Sequence, residues 1–208
     1  MLMASIIFFC AVVVACLYLK NKFPIISGLI GERYVGRKLR RLDPAHYKVF
    51  ANVLLPSNGN TKTTQIDHLV ISNYGIFCIE TKSHSGWIYG TASNEYWTQV
   101  FYYKKYRLYN PLRQNYAHAK ALEHVLVGHI KSPIISLVAF PCADRLIIHG
   151  TDMVANGHAT VEKLSSYQQP IYSQQELDTI AAIISAANIT DKSAFKQHVR
   201  DVRSLVAR

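Results

Sequence analysis

Two acidic residues and a lysine carry the most informative chemistry in this 208-residue chain. The segment from position 64 to 82 reads TQIDHLVISNYGIFCIETK, in which two apolar runs flank the turn-forming residues Ser72–Gly75. This pattern predicts a hairpin of two strands. With a four-residue turn, the numbers of facing residues sum to 147, so Asp67 lies opposite Glu80. Lys82 then leaves the same strand face as Glu80, because side chains alternate along a strand.

Facing carboxylates destabilise a strand pair unless something lies between them. A divalent cation between the two carboxylates would make their arrangement favourable, because magnesium and manganese prefer oxygen ligands. Lys82 beside such a cation could hold a water or a phosphate oxygen, which is the apparatus of metal-assisted phosphodiester hydrolysis. The alternative is an exposed strand face on which Lys82 only pairs with Asp67 or Glu80. The apolar neighbours predict a mostly buried hairpin and favour the chemical interpretation.

The remaining elements must position this hairpin. Apolar residues at helical spacing predict a first helix over residues 27–42, and Glu32 falls on its inward face, where a carboxylate needs a partner. The alternative is a rim position with Glu32 paired to Arg33 or Arg37. Asn110 and Pro111 are typical of a helix start, and the pattern continues to residue 130. Further strands are predicted at residues 46–54, 86–89, 96–103, 134–140 and 145–149, and further helices at 173–187 and 191–206. The order indicates a mixed α/β fold.

The pattern Asp67-x12-Glu80-x-Lys82 resembles the core of the PD-(D/E)xK nuclease superfamily. Other short motifs occur in order around it: Gly31-Glu32, Gln65-Ile66-Asp67-His68, Gly75-Ile76-Phe77, Glu80-Thr81-Lys82, Gly86-Trp87-Ile88-Tyr89-Gly90, Trp97 and Asn110-Pro111-x-x-Gln114-x-x-x-His118. Together they resemble the nuclease-related domain, NERD, over residues 28–130.

This resemblance implies a restriction-endonuclease-like core, a mixed β-sheet flanked by helices, and cleavage of DNA that depends on Mg²⁺ or Mn²⁺. Asp67 and Glu80 would be metal ligands, with the Thr81 carbonyl as a third, and Lys82 would be the catalytic lysine. Glu32 and Gln114 would contribute to catalysis. Gln114 and His118 are one helical turn apart and can face the same cavity. Residues 131–208 lie beyond the resemblance and are expected to complete the domain with two strands and two helices.

A second set of residues suggests contact with nucleic acid. In the stretch FYYKKYRLY, the cations Lys104, Lys105 and Arg107 alternate with aromatic residues, which suits phosphate contacts combined with base stacking. His118 is predicted to contribute to the same contact. The alternative for this stretch is an edge strand whose lysines discourage pairing with other chains.

The N-terminal segment predicts a membrane anchor. Residues 1–19 carry no charge and are long enough to span a bilayer as a helix, and Lys20 and Lys22 begin a linker over residues 20–27. The positive-inside rule then predicts a single-pass inner-membrane protein with its catalytic domain in the cytoplasm. Two alternatives are a lipid attached to Cys16, after a lipoprotein-like cleavage sequence, and a buried core helix.

Charge and cysteine content narrow the class of protein. The chain has 23 Lys and Arg against 13 Asp and Glu, a net charge of +10, which favours polyanionic partners. Its four cysteines form no CxxC pair, which excludes that type of zinc or redox site. DNA is the expected substrate, with RNA left open, and a homodimer would suit cleavage of both strands. The alternatives to a nuclease are a non-catalytic binding module and a protein that contacts anionic lipid.

Overall fold

The computed structural model of the chain describes residues 27–59 and 61–206. The transmembrane helix predicted for residues 1–19 lies outside these ranges. Within them, no helix is both long enough and apolar enough to cross a bilayer. The prediction of a mixed α/β fold is confirmed by two mixed sheets flanked by helices.

The first sheet has five strands in the order β1-β2-β3-β7-β9. Its strands are β1 Tyr47–Pro56, β2 Thr63–Ser72, β3 Gly75–Thr81, β7 Ile135–Ala139 and β9 Val154–Ala155. The first three are antiparallel, whereas β7 and β9 run parallel to β3. All seven residues of β3 are buried, which explains why this strand is almost continuously apolar in sequence.

Helices cover both faces of the first sheet. On one face, α2 (Pro111–Val125) and α4 (Gln174–Ala187) pack their Leu122 and Ile180 against Leu69 and Cys78. On the other face lie α1, which covers residues 27–39, and α3 (Ala159–Ser165). Their buried side chains contact the alternate strand residues and form a second core of Val35, Leu39, Val70, Phe77, Ile79 and Leu164. The last helix, α5, spans Lys192–Val206.

The second sheet continues from the central strands of the first. Its order is β6-β5-β4-β8, with β4 at Gly86–Thr91, β5 at Tyr96–Phe101, β6 at Lys104–Tyr109 and β8 at Ala143–His149. The chain passes from β3 into β4 and from β7 into β8. Strand β3 pairs in parallel with β7 in the first sheet, and β4 pairs in parallel with β8 in the second. The ends of β3 and β7 therefore meet where the two sheets diverge, and Lys82 donates its backbone N–H to Ala139 at 2.8 Å there.

Several predicted boundaries were wrong. The strand predicted over residues 96–103 ends at Phe101, and the chain turns at Tyr102 and Tyr103 to form β6. The helix predicted to residue 130 ends at Val125, shortly before Gly128, and the first helix ends at residue 39 rather than 42. The short elements α3 and β9 were not predicted, because neither is long enough to show a clear hydrophobic period.

Candidate active site

The β2–β3 hairpin places the acidic pair on the sheet face that α2 covers. Its ladder joins residues 68–72 to residues 75–79 with facing numbers that sum to 147, so the predicted register is confirmed. Asp67 and Glu80 are the next residues beyond the last pair, and Lys82 follows two positions later. Strand alternation points all three toward the face that carries the α2 side chains.

Glu80 is a buried carboxylate with two cationic or proton-donating neighbours. It is 3% exposed. Lys82 Nζ lies 2.7 Å from its Oε1, and His118 Nε2 lies 3.3 Å from its Oε2. Burial by itself would raise the pKa of Glu80, but the Lys82 ammonium and the His118 ring outweigh burial and lower that pKa to about 2. Glu80 is therefore ionised at neutral pH.

Asp67 reaches from β2 toward the backbone of β3. The Thr81 N–H donates to Asp67 Oδ2 at 2.8 Å. The pKa of Asp67 is nevertheless raised well above its usual range, first by burial and next by the negative charge of Glu80, which the Thr81 hydrogen bond offsets only in part. Of the two carboxylates, Asp67 is thus the one whose negative charge is less compensated, since Lys82 has the smallest of these effects on its pKa.

Helix α2 supplies two further polar side chains to the same place. Asn110 caps the helix with its side chain and Pro111 is the first helical residue, as the sequence predicted. Lys82 Nζ donates to Gln114 Oε1 at 2.8 Å. His118, one turn later, faces Glu80. Gln114 and His118 therefore face the same cluster, in keeping with their spacing of one helical turn.

Glu32 approaches the cluster from α1. It is half-buried, and its pKa is raised by burial and then by the charge of Glu80, while Lys82 acts in the opposite direction. The neighbouring Gly31 explains how the helix comes so close, because a Cβ at that position would lie 1.9 Å from Ser83 Oγ. A third carboxylate therefore lies within electrostatic reach of the Lys82 segment.

A cleft of about 800 Å³ opens beside this cluster. Thr81, Lys82 and His84 line one side of it, and Phe101 and Tyr106 of the β5–β6 hairpin line another. The Nδ1 atom of His84 is buried there without a hydrogen-bond partner in the described structure. The cleft is large enough to admit a phosphodiester together with its flanking sugars.

A family model described as the nuclease-related domain, NERD, matches residues 27–141, just over half of the chain. The chain belongs to the NERD family. The match runs from α1 through β7 and includes the whole carboxylate cluster, so the resemblance seen in the short motifs is confirmed.

The similarity also extends beyond the NERD region. An uncharacterized protein of Bacillus anthracis is 36% identical over 193 residues, which cover 91% of this chain and 90% of that protein. The similarity to this relative therefore covers more of the chain than the NERD match alone. No solved structure matches the chain.

The predicted nucleic-acid contacts occupy two separate places in this NERD protein. Lys104 and Lys105 are exposed on β6, the edge strand of the second sheet. The Arg107 guanidinium stacks 3.4 Å from the centre of the Tyr96 ring. His118, in contrast, is 8% exposed and belongs to the carboxylate cluster. The basic surface therefore consists of the β6 cations without His118.

Sequence reasoning missed two residues that hold this cluster together. Thr64 Oγ1 lies 2.5 Å from His118 Nδ1 and so fixes the ring that faces Glu80. Asn115 is fully buried, and its Nδ2 donates to the carbonyl oxygens of Cys78 and Leu137 at 2.9 Å each. A polar residue at the centre of an otherwise apolar helix face was the available signal for Asn115.

The donors present fit a hard divalent cation that keeps part of its water shell. Within the described ranges, no group of three or more His, Cys, Asp and Glu side chains is arranged to hold a metal ion. Magnesium, however, is commonly held by one or two carboxylates together with substrate phosphate oxygens. Asp67 and Glu80 supply those carboxylates, and the raised pKa of Asp67 indicates negative charge that a cation would stabilise. A role for the Thr81 carbonyl stays a prediction.

Proposed function

We propose that this protein is a divalent-metal-dependent nuclease that hydrolyses DNA phosphodiester bonds. The observation that carries the proposal is the meeting of Asp67, Glu80 and Lys82 at one end of the β2–β3 hairpin, beside an open cleft. A module that only bound nucleic acid would have no need for two adjacent carboxylates, one buried and one half-buried, that repel each other. The first sheet with its helices, α1-β1-β2-β3, then α2-β7 after the insertion of β4–β6, supports a core of the restriction-endonuclease type.

Each residue has a distinct part in the proposed reaction. Asp67 and Glu80 would hold Mg²⁺ or Mn²⁺, and the bound cation would supply Lewis-acid stabilisation of charge on the scissile phosphate. Lys82 is fixed between Glu80 and Gln114, so its ammonium would orient the attacking water and stabilise negative charge that develops on phosphate oxygens. Gln114 would act as a positioning residue for Lys82.

His118 and Glu32 would act around this centre. His118 donates toward Glu80 and is held by Thr64, so it would keep the Glu80 carboxylate in one orientation. Glu32 adds a third negative charge near Lys82 and would help to retain a cation or order its water shell.

The cellular setting belongs to the same proposal. Residues 1–19 would anchor the protein in the cytoplasmic membrane, with Lys20 and Lys22 on the cytoplasmic side. The catalytic domain would then meet DNA in the cytoplasm. Two copies acting together would allow both strands of a duplex to be cut.

The test uses the full chain, purified in detergent, with supercoiled and linear DNA and with or without Mg²⁺ or Mn²⁺. The wild type is expected to cut only with the cation. Lys82→Ala and Glu80→Gln should each lower the rate by roughly 100- to 1,000-fold, the usual cost of removing a transition-state stabilising group. Lys120→Ala is the matched control, because Lys120 pairs with Glu123 on the exposed side of α2.

Two results would contradict the proposal. Cleavage that persists in both site variants would indicate a contaminating nuclease. A folded wild type that binds DNA equally well with and without the cation but never cuts it would make the protein a binding module on a nuclease fold.

A further inference from the structure

The outer face of the second sheet combines aromatic rings with cations. Strand pairing places Trp87 beside Val100 on one side and Arg145 on the other, and Val100 beside Lys105, so these residues form one row across the face. The opposite face of the same strands is part of the core, with Ile88, Trp97 and Leu108. The outer row is exposed to solvent except at the half-buried Val100.

The neighbouring row on this face has the same character. It joins Tyr89 to Thr98 and Thr98 to Arg107. Two residues further along, Tyr96 pairs with Tyr109, and their rings meet edge to face at 5.7 Å. Arg107 lies over the Tyr96 ring at 3.4 Å from its centre. With Trp87, four aromatic residues and their neighbouring cations thus lie at strand spacing on one continuous surface.

Trp87 is the most unusual of these residues. It is 44% exposed, whereas Trp97, the other tryptophan of the chain, is 2% exposed. The Arg145 guanidinium lies 5.4 Å from the Trp87 ring centre and so places a positive charge beside the ring. A large apolar ring held in water beside a cation suits a ligand that offers both a flat π-face and a negative charge.

A cavity of about 750 Å³ lies on this face, next to the cleft beside the candidate active site. Its lining includes Trp87, Tyr102 and Lys105, and Asp144 is its one acidic residue. Phe101 lines both this cavity and the cleft that contains Lys82. A chain-like ligand on the outer face could therefore continue around Phe101 into the cleft.

We propose that the outer face of the second sheet binds an unpaired nucleic-acid strand. A base stacks on Trp87, and the phosphates contact Lys105, Arg107 and Arg145. Bases within a duplex are already stacked on one another and cannot offer their faces to a flat sheet, so the ligand is single-stranded. The choice of nucleic acid rests on the proposed nuclease function, and it narrows the substrate to DNA with an unpaired segment beside the cut.

The first experiment follows tryptophan fluorescence in the full chain without divalent cations, so that no cleavage occurs. The probe is an oligothymidylate of ~15 nucleotides, a length typical of one single-strand binding site. Stacking is expected to quench Trp87 while Trp97, which is buried, keeps its emission. Trp87→Phe should lose the quenching and keep most of the affinity, because phenylalanine also offers a ring for stacking.

The second experiment measures affinity by fluorescence anisotropy with a labelled copy of the same oligonucleotide. Trp87→Ala should weaken binding roughly 5- to 100-fold, the range for loss of one base–aromatic stack. Lys105→Gln and Arg145→Gln should each reduce the slope of log K against log salt by about 0.7, the value for one phosphate contact to a single strand. All of these variants retain Trp97, and its native emission reports whether each variant is folded.

The matched control for Trp87 is a second ring–cation pair that lies away from the outer face of the second sheet. Tyr116 is 61% exposed on α2, and Lys120 Nζ lies 5.3 Å from its ring centre. Tyr116→Ala should leave binding unchanged.

Three results would overturn it. The first is equal affinity of Trp87→Ala and wild type for the oligonucleotide, and the second is equal affinity for a blunt duplex and for the single strand. The third is binding of anionic phosphatidylserine vesicles that depends on Trp87 when oligonucleotide binding does not, which would assign the face to lipid.

Metal-dependent cleavage is measured separately, so Trp87-dependent binding without cleavage would refute only the nuclease function. Cleavage of blunt duplex without Trp87-dependent binding would refute only this inference.

Discussion

The carboxylate of Asp67 accepts a hydrogen bond from the Thr81 backbone N–H, 2.8 Å away on the next strand. This contact fixes Asp67 beside Glu80 although the two strands no longer pair there, since their ladder ends at residues 68 and 79. The Thr81 N–H stabilises the negative charge of Asp67, but burial and the charge of Glu80 together destabilise it by more. The protein therefore holds the ionised form of Asp67 at an energetic cost, which the proposed cation would relieve.

Asp67→Asn tests this cost directly. The pKa of Asp67 is raised in the folded state, so its contribution to stability is fully present below the unfolded-state value and is lost as pH rises through the folded value. The asparagine variant keeps an acceptor for Thr81 without the charge. It should gain about 1 kcal/mol of unfolding free energy at neutral pH, as measured by urea denaturation.

The same variant should lose the response to metal. Mg²⁺ is expected to raise the melting temperature of the wild type, because a ligand that binds only the folded state stabilises it. It should leave Asp67→Asn unchanged. Asp144→Asn, on the exposed side of the second sheet, is the control and should behave as the wild type in both assays. Equal Mg²⁺ responses in all three proteins would remove Asp67 from the metal site.

His68 should make the protein less stable in mild acid. Burial, the largest effect, lowers the pKa of His68 from 6.5 to about 4. Between these values the unfolded chain binds the proton and the folded chain does not, so this contribution is complete above pH 6.5 and is lost as pH falls toward 4. The unfolding free energy should decrease by about 1–3 kcal/mol over that window.

The matching variant is His68→Gln, followed by denaturation across the same pH range. Subtracting its curve from that of the wild type removes the titrations of Asp67, Glu32 and the other histidines that both proteins share. The difference should narrow as pH falls. Parallel curves would show that His68 is accessible to protons in the folded state.

Asn115 and Gln114 are neighbours on α2, but their replacement should affect different properties. Loss of Asn115 should lower stability, whereas loss of Gln114 should lower activity. Asn115→Ala leaves the carbonyl oxygens of Cys78 and Leu137 without their buried donor, so it should lower the unfolding free energy by about 2–4 kcal/mol. Gln114→Ala removes the acceptor of Lys82 and should lower the cleavage rate about 10- to 100-fold, with less than about 1 kcal/mol lost in stability. Large losses of both stability and activity in both variants would contradict these separate roles.

The sequence was sufficient for the geometry of the central hairpin. Its turn residues fixed the register at a facing sum of 147, and alternation then placed Glu80 and Lys82 on one face. Helical spacing brought Gln114 and His118 together in the same way. These inferences succeeded because each depends on a local period and on one well-marked turn.

Other features depend on contacts between distant segments. Thr64 orients His118 across 54 positions of sequence, and Asn115 joins α2 to both β3 and β7, so neither role has a local pattern. The edge-strand alternative for the FYYKKYRLY stretch is confirmed by β6, but the turn that separates β6 from β5 was not predicted. This turn, Tyr102 and Tyr103, contains none of the residues that usually mark a turn.

That turn gives a last prediction about stability. Tyr102 has φ +53°, a conformation that costs a residue with a Cβ about 1–2 kcal/mol, and it occupies the first turn position, where glycine is preferred in one common hairpin type. Tyr102→Gly should therefore raise the unfolding free energy by about 0.5–1 kcal/mol after the entropy cost of glycine is included. The Tyr102 side chain is 80% exposed, so the main packing lost is its edge-to-face contact with the Phe101 ring at 4.7 Å.

Tyr103→Gly is the matched control for this change. Tyr103 is the adjacent turn residue, is 90% exposed and does not share the positive φ. Its replacement by glycine should lower the unfolding free energy slightly or leave it unchanged, because only flexibility is added. Both variants are compared by urea denaturation with a common slope. If Tyr103→Gly stabilises the protein as much as Tyr102→Gly, the gain comes from removing an exposed aromatic ring, and the backbone conformation of Tyr102 carries no strain.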